Sequence, residues 1–195
     1  PILFIVAKRS KGMKLFKNKG VLSVFIIVGL LLTMYSAYGM LASSTDTVPD
    51  FTLKDTQGTT RTPMTYDQKV LVIDIMSTDC VPCNEEMPDL VRMYKTAREK
   101  YGSEVEFLTV SISNQDTDQM LRDFQNKYGA TWPIGRNPEF VTLFDAKFTP
   151  TMVIVSPDGD LTYRHVGKVD VDEVLDEIEK AHSGDYNSIS IRSSD

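Results

Sequence analysis

The chain has 195 residues, 42% of them hydrophobic and 25% charged, which suits one globular domain with a buried core and a short appendage. The first twenty residues hold six of the 21 basic residues and no acidic one, so the rest of the chain balances 15 basic against 27 acidic side chains, a formal charge near −12. Because such a domain repels phosphates, nucleic acid is excluded as an expected partner.

The N-terminal part of the sequence has the pattern of a membrane anchor. Residues 1–20 are basic, and the uncharged run that follows them, residues 21–42, has the length of roughly 20 residues that a helix needs to span a bilayer. Lysines precede the run and an acidic region follows it, so the N-terminus is expected in the cytoplasm and the rest of the chain outside. A cleaved signal peptide is the alternative, with Ala37 and Gly39 as the small residues of a cleavage site.

The start of the chain and the boundaries of the folded domain can both be predicted. Residue 1 is a proline, while MKLFKNKG from Met13 is a natural start for an exported protein. We therefore expect residues 1–12 to be a non-native extension, which N-terminal sequencing would test. Residues 43–47 are expected to be a polar linker, 48–182 the folded domain and 183–195 a flexible tail.

Hydrophobic patterning predicts alternating strands and helices within the domain. The predicted strands are a pair around the turn at 55–58, buried strands over 69–76 and 105–112, and a hairpin over 151–167. The predicted helices cover 82–101, 116–128 and 169–182. This order predicts an α/β fold with a central mixed sheet and helices on both faces.

Both cysteines of the chain, Cys80 and Cys83, lie in one C-x-x-C motif within DIMSTDCVPCNEEMP. A disulfide scaffold would spread its cysteines along the chain, and a structural zinc site needs a second pair of ligands that this sequence lacks. The spacing therefore indicates redox chemistry, a two-cysteine metal site or coincidence.

If the motif is redox-active, Cys80 is the expected nucleophile, because it begins a helix whose dipole and unpaired backbone N–H groups favour a thiolate. Cys83, one turn into the helix, is then the resolving cysteine, and Pro82 is tolerated in the first turn. Two carboxylates are candidates for accepting the proton of the Cys83 thiol. Glu86 lies three residues later on the same helical face. The alternative is that Glu86 is an ordinary exposed helix glutamate. Asp74 lies in an apolar strand, where burial should raise its pKa, unless it points to an edge or caps a neighbour.

These residues resemble the thioredoxin superfamily, specifically its membrane-anchored TlpA/ResA-like thiol-disulfide oxidoreductases. CVPCNEEMP resembles their C-x-x-C-x-x-E-x-P motif, with Pro88 in register, and VPDFTLKDTQGTT resembles the start of their domain. Asp74 matches the buried aspartate of thioredoxins, and the segment 110–148 is similar to the extra strand and helix of this family. The resemblance covers about residues 48–182.

The resemblance implies a thioredoxin-like fold and an extracytoplasmic enzyme whose only redox group is the Cys80–Cys83 disulfide. FTPTMVIVSPDGDLTYRHVG is similar to the family's cis-proline segment, which implies a cis bond before Pro150. The implied substrate-binding residues are Val81, Pro82, Thr149 and Pro150, with the backbone of Thr149 pairing with an extended substrate. The implied partners are exported thiol or disulfide proteins such as apocytochrome c during cytochrome c maturation, a membrane thiol-electron donor, and the lipid bilayer around residues 21–42.

One residue departs from the family pattern. Asp79 stands directly before Cys80, where the family usually has a tryptophan that forms part of the partner-docking surface. We therefore expect partner recognition to differ. A carboxylate beside Cys80 should also raise the pKa of its thiol, which makes the pair more reducing.

Three other functions are weaker alternatives. A Sco-type copper chaperone shares this fold and would bind copper through both cysteines and His165, but it spaces its cysteines C-x-x-x-C. A peroxiredoxin-type antioxidant protein would have threonine where this chain has Ser77. A plain interaction module would leave Glu86 and Pro88 unexplained. We expect His165 to be a solvated strand residue, Trp132 a packing residue and the methionines core filler, with no metal site.

Overall fold

The structure is a computed structural model that describes residues 27–30, residues 47–186 and the backbone of residues 190–193. Residues 27–30 are helical. The rest of the predicted anchor at 21–42, the basic segment 1–20 and most of the predicted linker 43–47 lie outside the described residues. Within the described ranges, no helix combines the length and the apolar character needed to cross a bilayer.

A six-stranded mixed sheet forms the centre of the domain, in the order β5-β4-β3-β6-β7-β8. Strands β3, β4 and β5 are mutually parallel, β6 runs antiparallel to both β3 and β7, and β8 is parallel to β7. The strands of this sheet are β3 (Val70–Met76), β4 (Val105–Ser111), β5 (Ile134–Arg136), β6 (Thr151–Val155), β7 (Leu161–Val166) and β8 (Ser190–Ser193). Two short strands, β1 (Leu53–Lys54) and β2 (Thr60–Arg61), pair separately.

Within residues 47–186, four helices accompany the sheet. They are α1 (Val81–Tyr101), α2 (Asp118–Tyr128), α3 (Phe140–Leu143) and α4 (Val171–Ser183), besides short 3-10 turns at Pro63–Tyr66 and Gly102–Glu104. The mixed sheet with helices on both faces confirms the predicted fold class.

Strand β3 explains why both faces must be covered, because all seven of its residues are buried. Its alternate side chains enter two separate cores: Val72 packs with residues of α1, α2 and α4, and Ile73 packs with Phe51 and with residues of α3. Four methionines are buried, as predicted, at positions 76, 87, 93 and 152, whereas Met64 and Met120 are exposed.

The C-terminal tail differs from the prediction. Residues 183–195 are expected to be flexible, yet α4 includes Ser183 and β8 joins the sheet as its last strand beside β7. The physical reason is that β7 would otherwise present a row of unpaired backbone groups at the sheet edge, which a further strand satisfies. The short strand β5 and the helix α3 both lie in the segment 110–148 where the family resemblance implies an extra strand and helix.

Candidate active site

The two cysteines form a disulfide at the end of β3, with an S–S distance of 2.07 Å and a Cα–Cα distance of 5.3 Å. Cys80 is the N-cap of α1, and its Sγ accepts a hydrogen bond from the backbone N–H of Cys83 at 3.2 Å. Cys80 is half-buried, whereas Cys83 is only 2% exposed. An incoming thiol therefore has better access to the Cys80 sulfur.

The Thr149–Pro150 peptide bond is cis, as the resemblance implies. Pro150 directly precedes β6, and Thr151 pairs with Ile75 near the end of β3 from which the chain runs to Cys80. The cis bond and the disulfide therefore lie at the same end of the central strands β3 and β6. The carbonyl oxygen of Pro150 accepts the backbone N–H of Gly167 at 2.8 Å, which fixes this segment against the end of β7.

Apolar side chains are exposed both in the C-x-x-C motif and in the segment before Pro150. Val81, between the cysteines, is 67% exposed, and Phe148, two residues before Pro150, is 71% exposed. Pro82 is exposed as well, and so is Asp79, the residue directly before Cys80. Val81 and Pro82 stay predicted substrate-binding residues, whereas the sequence analysis did not single out Phe148. An aromatic residue placed just before the Thr-Pro pair was the available signal.

Two carboxyl groups are buried in the layer between the sheet and α1. Glu86 is 1% exposed, and its Oε1 accepts the backbone N–H of Val169 at 2.7 Å, so it is not a solvent-facing helix glutamate. Asp74 is 4% exposed and lies in the middle of the sheet, between β4 and β6, rather than at an edge.

Burial shifts the proton affinity of both groups. It raises the pKa of Asp74 to about 7, although a hydrogen bond from Thr109 opposes the shift. It also raises the pKa of Glu86 to about 8, with the negative charge of Asp74 as the second cause and the Val169 N–H opposing. Both carboxyl groups can therefore change protonation near neutral pH.

A hydrogen-bonded chain leads to Asp74 from the neighbouring strand. The indole Nε1 of Trp132 donates to Thr109 Oγ1 at 2.9 Å, and Thr109 Oγ1 donates to Asp74 Oδ2 at 3.1 Å. Trp132 is 2% exposed and packs near Tyr94 and Phe107, which confirms its predicted packing role. Its hydrogen bond toward the carboxyl group was not predicted, because Thr109 carries no motif.

The prediction that His165 is solvated is wrong. The residue is 7% exposed, and neither ring nitrogen has a hydrogen-bond partner among the described residues. The cause is its position, because β7 lies between β6 and β8. His165 pairs with Met152, and Met152 pairs with Asp74, so the three residues lie on one sheet face.

In the described part of the chain, no three His, Cys, Asp or Glu side chains are grouped to hold a metal ion.

The chain is similar to several known proteins. Residues 43–181 match the Redoxin family. The thiol-disulfide oxidoreductase ResA of Halalkalibacterium halodurans is 22% identical over 153 residues, which cover 75% of this chain and 84% of ResA. The thioredoxin-like protein YneN of Bacillus subtilis is 25% identical over 133 residues, which cover 66% of this chain and 76% of YneN.

A solved structure supports the fold. The thiol:disulfide interchange protein of the thioredoxin family from Chlorobium tepidum TLS superposes with a TM-score of 0.62 at 18% identity, covering 71% of this chain and 97% of that one. At that identity the likeness establishes the fold. The chain thus belongs to the Redoxin family and, within the thioredoxin superfamily, is a TlpA/ResA-like protein of the thiol-disulfide oxidoreductase type.

Proposed function

We propose that the protein is an extracytoplasmic oxidoreductase that reduces disulfides in exported proteins. One observation carries the proposal: an accessible Cys80 at the start of α1 is bonded to a buried Cys83, above two buried carboxyl groups whose pKa values lie near neutrality. This combination supplies a nucleophile, a resolving thiol and groups that exchange protons at working pH.

The proposed reaction begins from the reduced protein. The Cys80 thiolate attacks a substrate disulfide, forms a mixed disulfide and releases one substrate thiolate. Cys83 then loses its proton, and its thiolate attacks the Cys80 sulfur, which closes the Cys80–Cys83 disulfide and releases the second substrate thiolate. Two electrons pass to the substrate, and both released thiolates take up protons. A dithiol donor returns the pair to the reduced state by the same exchange in reverse.

Proton transfer at the buried sulfur is assigned to Glu86 and Asp74. Cys83 has little contact with water, so its proton needs an acceptor inside the protein. Glu86 lies one turn further along α1, and Asp74 lies in the β3 strand that leads to the motif. A group with a pKa of about 7 or 8 accepts this proton and releases it again without a large free-energy penalty.

The substrate is proposed to be an extended segment around a cysteine of an exported protein. The backbone of Thr149, beside the cis bond, pairs with that segment, while Val81 and Pro82 contact its side chains. Apocytochrome c is the candidate substrate that the resemblance to TlpA/ResA-like oxidoreductases implies, and the similarity to ResA supports that resemblance. In this proposal the anchor predicted at 21–42 holds the domain at the membrane, and a membrane thiol donor supplies the electrons. The negative charge of Asp79 beside Cys80 supports the reducing direction.

Copper transfer receives less support from the structure. His165 does not join the cysteines in a group of three candidate ligands within the described residues. The peroxiredoxin alternative still lacks the threonine that its motif requires, since position 77 is serine.

A trapping experiment tests the proposal. The full-length chain, recycled by dithiothreitol, should catalyse the reduction of insulin disulfides, and Cys83→Ser should accumulate a mixed disulfide through Cys80. Cys80→Ser should show neither behaviour. Equal activity in the wild type and in both single variants would contradict the proposal, as would a wild-type disulfide that never exchanges with a thiol.

A further inference from the structure

The turn between β3 and α1, Ser77–Cys80, is held by a side chain from α1. The Nδ2 group of Asn84 donates to the carbonyl oxygens of Thr78 and Cys80, both at 2.9 Å. The backbone N–H of Asn84 also donates to the Cys80 carbonyl, at 3.0 Å. Asn84 thus places three donors on two carbonyl groups that flank the reactive cysteine.

The oxygen of the same amide is held by the C-terminal end of α2. Asn84 Oδ1 accepts the hydroxyl of Tyr128 at 2.7 Å and the ammonium group of Lys127 at 3.3 Å. Because a primary amide has two donor hydrogens and one oxygen with two lone pairs, all its hydrogen-bonding capacity is used. The orientation of the amide is therefore determined by α2 as much as by the turn.

The N-terminal end of α2 contacts the turn through a second side chain. Asp116, two residues before α2, is 3% exposed, and its Oδ2 accepts the backbone N–H of Thr78 at 3.0 Å. The carboxylate also accepts the hydroxyl groups of Thr78 and Ser111. Thr78 is therefore bound on its N–H side by Asp116 and on its carbonyl side by Asn84.

We infer that Asn84, oriented by Tyr128, is a positioning residue of the redox reaction that couples helix α2 to the reactivity of Cys80. The inference rests on the proposed function. The physical basis is electrostatic: the carbonyl oxygens of Thr78 and Cys80 carry partial negative charge next to the cysteine, and the amide hydrogens of Asn84 offset that charge. Loss of the amide leaves the carbonyl dipoles unopposed, which disfavours the Cys80 thiolate and hence the reduced form of the pair.

The test uses three variants of the full-length chain. Asn84→Ala removes both side-chain donors, Tyr128→Phe removes only the hydroxyl that orients the amide, and Gln119→Ala is the control. Gln119 is exposed on α2, and its side chain hydrogen-bonds with Asp123 and Arg122 of the same helix. The readouts are the Cys80–Cys83 equilibrium with glutathione and the pH midpoint of Cys80 alkylation in the reduced protein.

Asn84→Ala should shift the glutathione equilibrium about tenfold toward the disulfide, a change of about 30 mV for a two-electron couple, and raise the alkylation midpoint. Tyr128→Phe should act in the same direction by a smaller factor, and Gln119→Ala should match the wild type. If Asn84→Ala does not fold, Tyr128→Phe decides alone.

The inference is overturned if the Asn84 and Tyr128 variants lower the melting temperature yet keep the wild-type equilibrium and alkylation midpoint. That result would make the contacts purely structural while leaving wild-type disulfide exchange intact. Failure of the proposed function is a different observation, because the wild-type pair itself would then not exchange.

Discussion

Thr109 and Asp74 lie opposite each other on neighbouring parallel strands, and the Thr109 hydroxyl donates to the Asp74 carboxyl group at 3.1 Å. The other oxygen, Asp74 Oδ1, is buried without a hydrogen-bond partner among the described residues. One hydrogen bond does not compensate an ionised carboxylate for the loss of water, so Asp74 keeps its proton to about pH 7.

The first prediction concerns stability and pH. Because the folded-state pKa of Asp74 is raised to about 7, the unfolded chain loses this proton near pH 4 while the folded protein retains it. The free energy of unfolding should therefore fall between about pH 4 and pH 7, by up to about 1.4 kcal/mol per pH unit from this group, and level off above that range. Glu86 should add a similar fall that extends to about pH 8.

Urea unfolding of the wild type and of Asp74→Asn, at pH values from 4 to 9, measures this effect. The variant should be more stable than the wild type at pH 8 and should show a smaller pH slope, with Asp79→Asn as an exposed control. Parallel stability curves for Asp74→Asn and the wild type would show that Asp74 is ionised in both states.

The second prediction concerns proton transfer. Glu86→Gln keeps an oxygen that can accept the Val169 N–H but removes the titrating proton. We expect the exchange rate at neutral pH to fall on the order of 100-fold, the contribution typical of general acid–base catalysis, and the titration of Cys83 to shift. The rate is measured by insulin reduction and the titration by thiolate absorbance. An unchanged rate and an unchanged Cys83 pKa would remove Glu86 from the mechanism.

The third prediction concerns Asp79, the residue beside the nucleophile. Its carboxylate should disfavour the Cys80 thiolate, so Asp79→Asn should lower the pKa of Cys80 and make the pair less reducing. The corresponding change in the redox equilibrium is about tenfold, or about 30 mV. The effect should weaken in high salt, because Asp79 is exposed. A more reducing pair in Asp79→Asn would reverse the assigned role of this charge.

The fourth prediction concerns partner docking by Phe148, which is 71% exposed beside the cis-proline segment. Phe148→Ser should raise the KM for a folded or unfolded protein substrate by about tenfold to 100-fold, the cost of one lost apolar contact. The rate with dithiothreitol should stay unchanged, because a small thiol needs no docking surface. The control is Met64→Ser, which removes a similarly exposed apolar side chain, 76% exposed, from the 3-10 turn that precedes β3. Equal KM changes in both variants would deny Phe148 a specific role.

The fifth prediction concerns His165. Both of its ring nitrogens are buried without hydrogen bonds to the described residues, which costs about 1–3 kcal/mol for each unsatisfied group. His165→Leu should therefore leave the melting temperature unchanged or raise it, and copper titration should not distinguish the variant from the wild type. Weaker copper binding in His165→Leu would favour the chaperone alternative, and a strong loss of stability would reveal a polar partner for the ring.

Local patterning and the family resemblance predicted the parts of the site that depend on nearby residues. The apolar run of β3 and the proline after Cys80 located the strand-to-helix junction, and an aspartate inside that run indicated burial. The resemblance identified the cis bond before Pro150.

The features that the sequence did not predict depend on contacts between residues far apart in the chain. His165 was misjudged because the alternation in β7 does not reveal that β8 covers the outer edge of that strand. The contacts of Asn84 with Tyr128 and of Thr78 with Asp116 join residues 44 and 38 positions apart, and no local signal encodes them. Thr109 was missed for the same reason, since its partner Asp74 is 35 positions away.

The reduction potential of the Cys80–Cys83 pair, measured by equilibration with glutathione or dithiothreitol buffers, tests the central claim most directly. A reductant of exported disulfides should have a value near or below that of thioredoxin, about −270 mV. A value near that of a strong oxidant, about −120 mV, would make the protein a disulfide donor and contradict the assigned direction of electron flow.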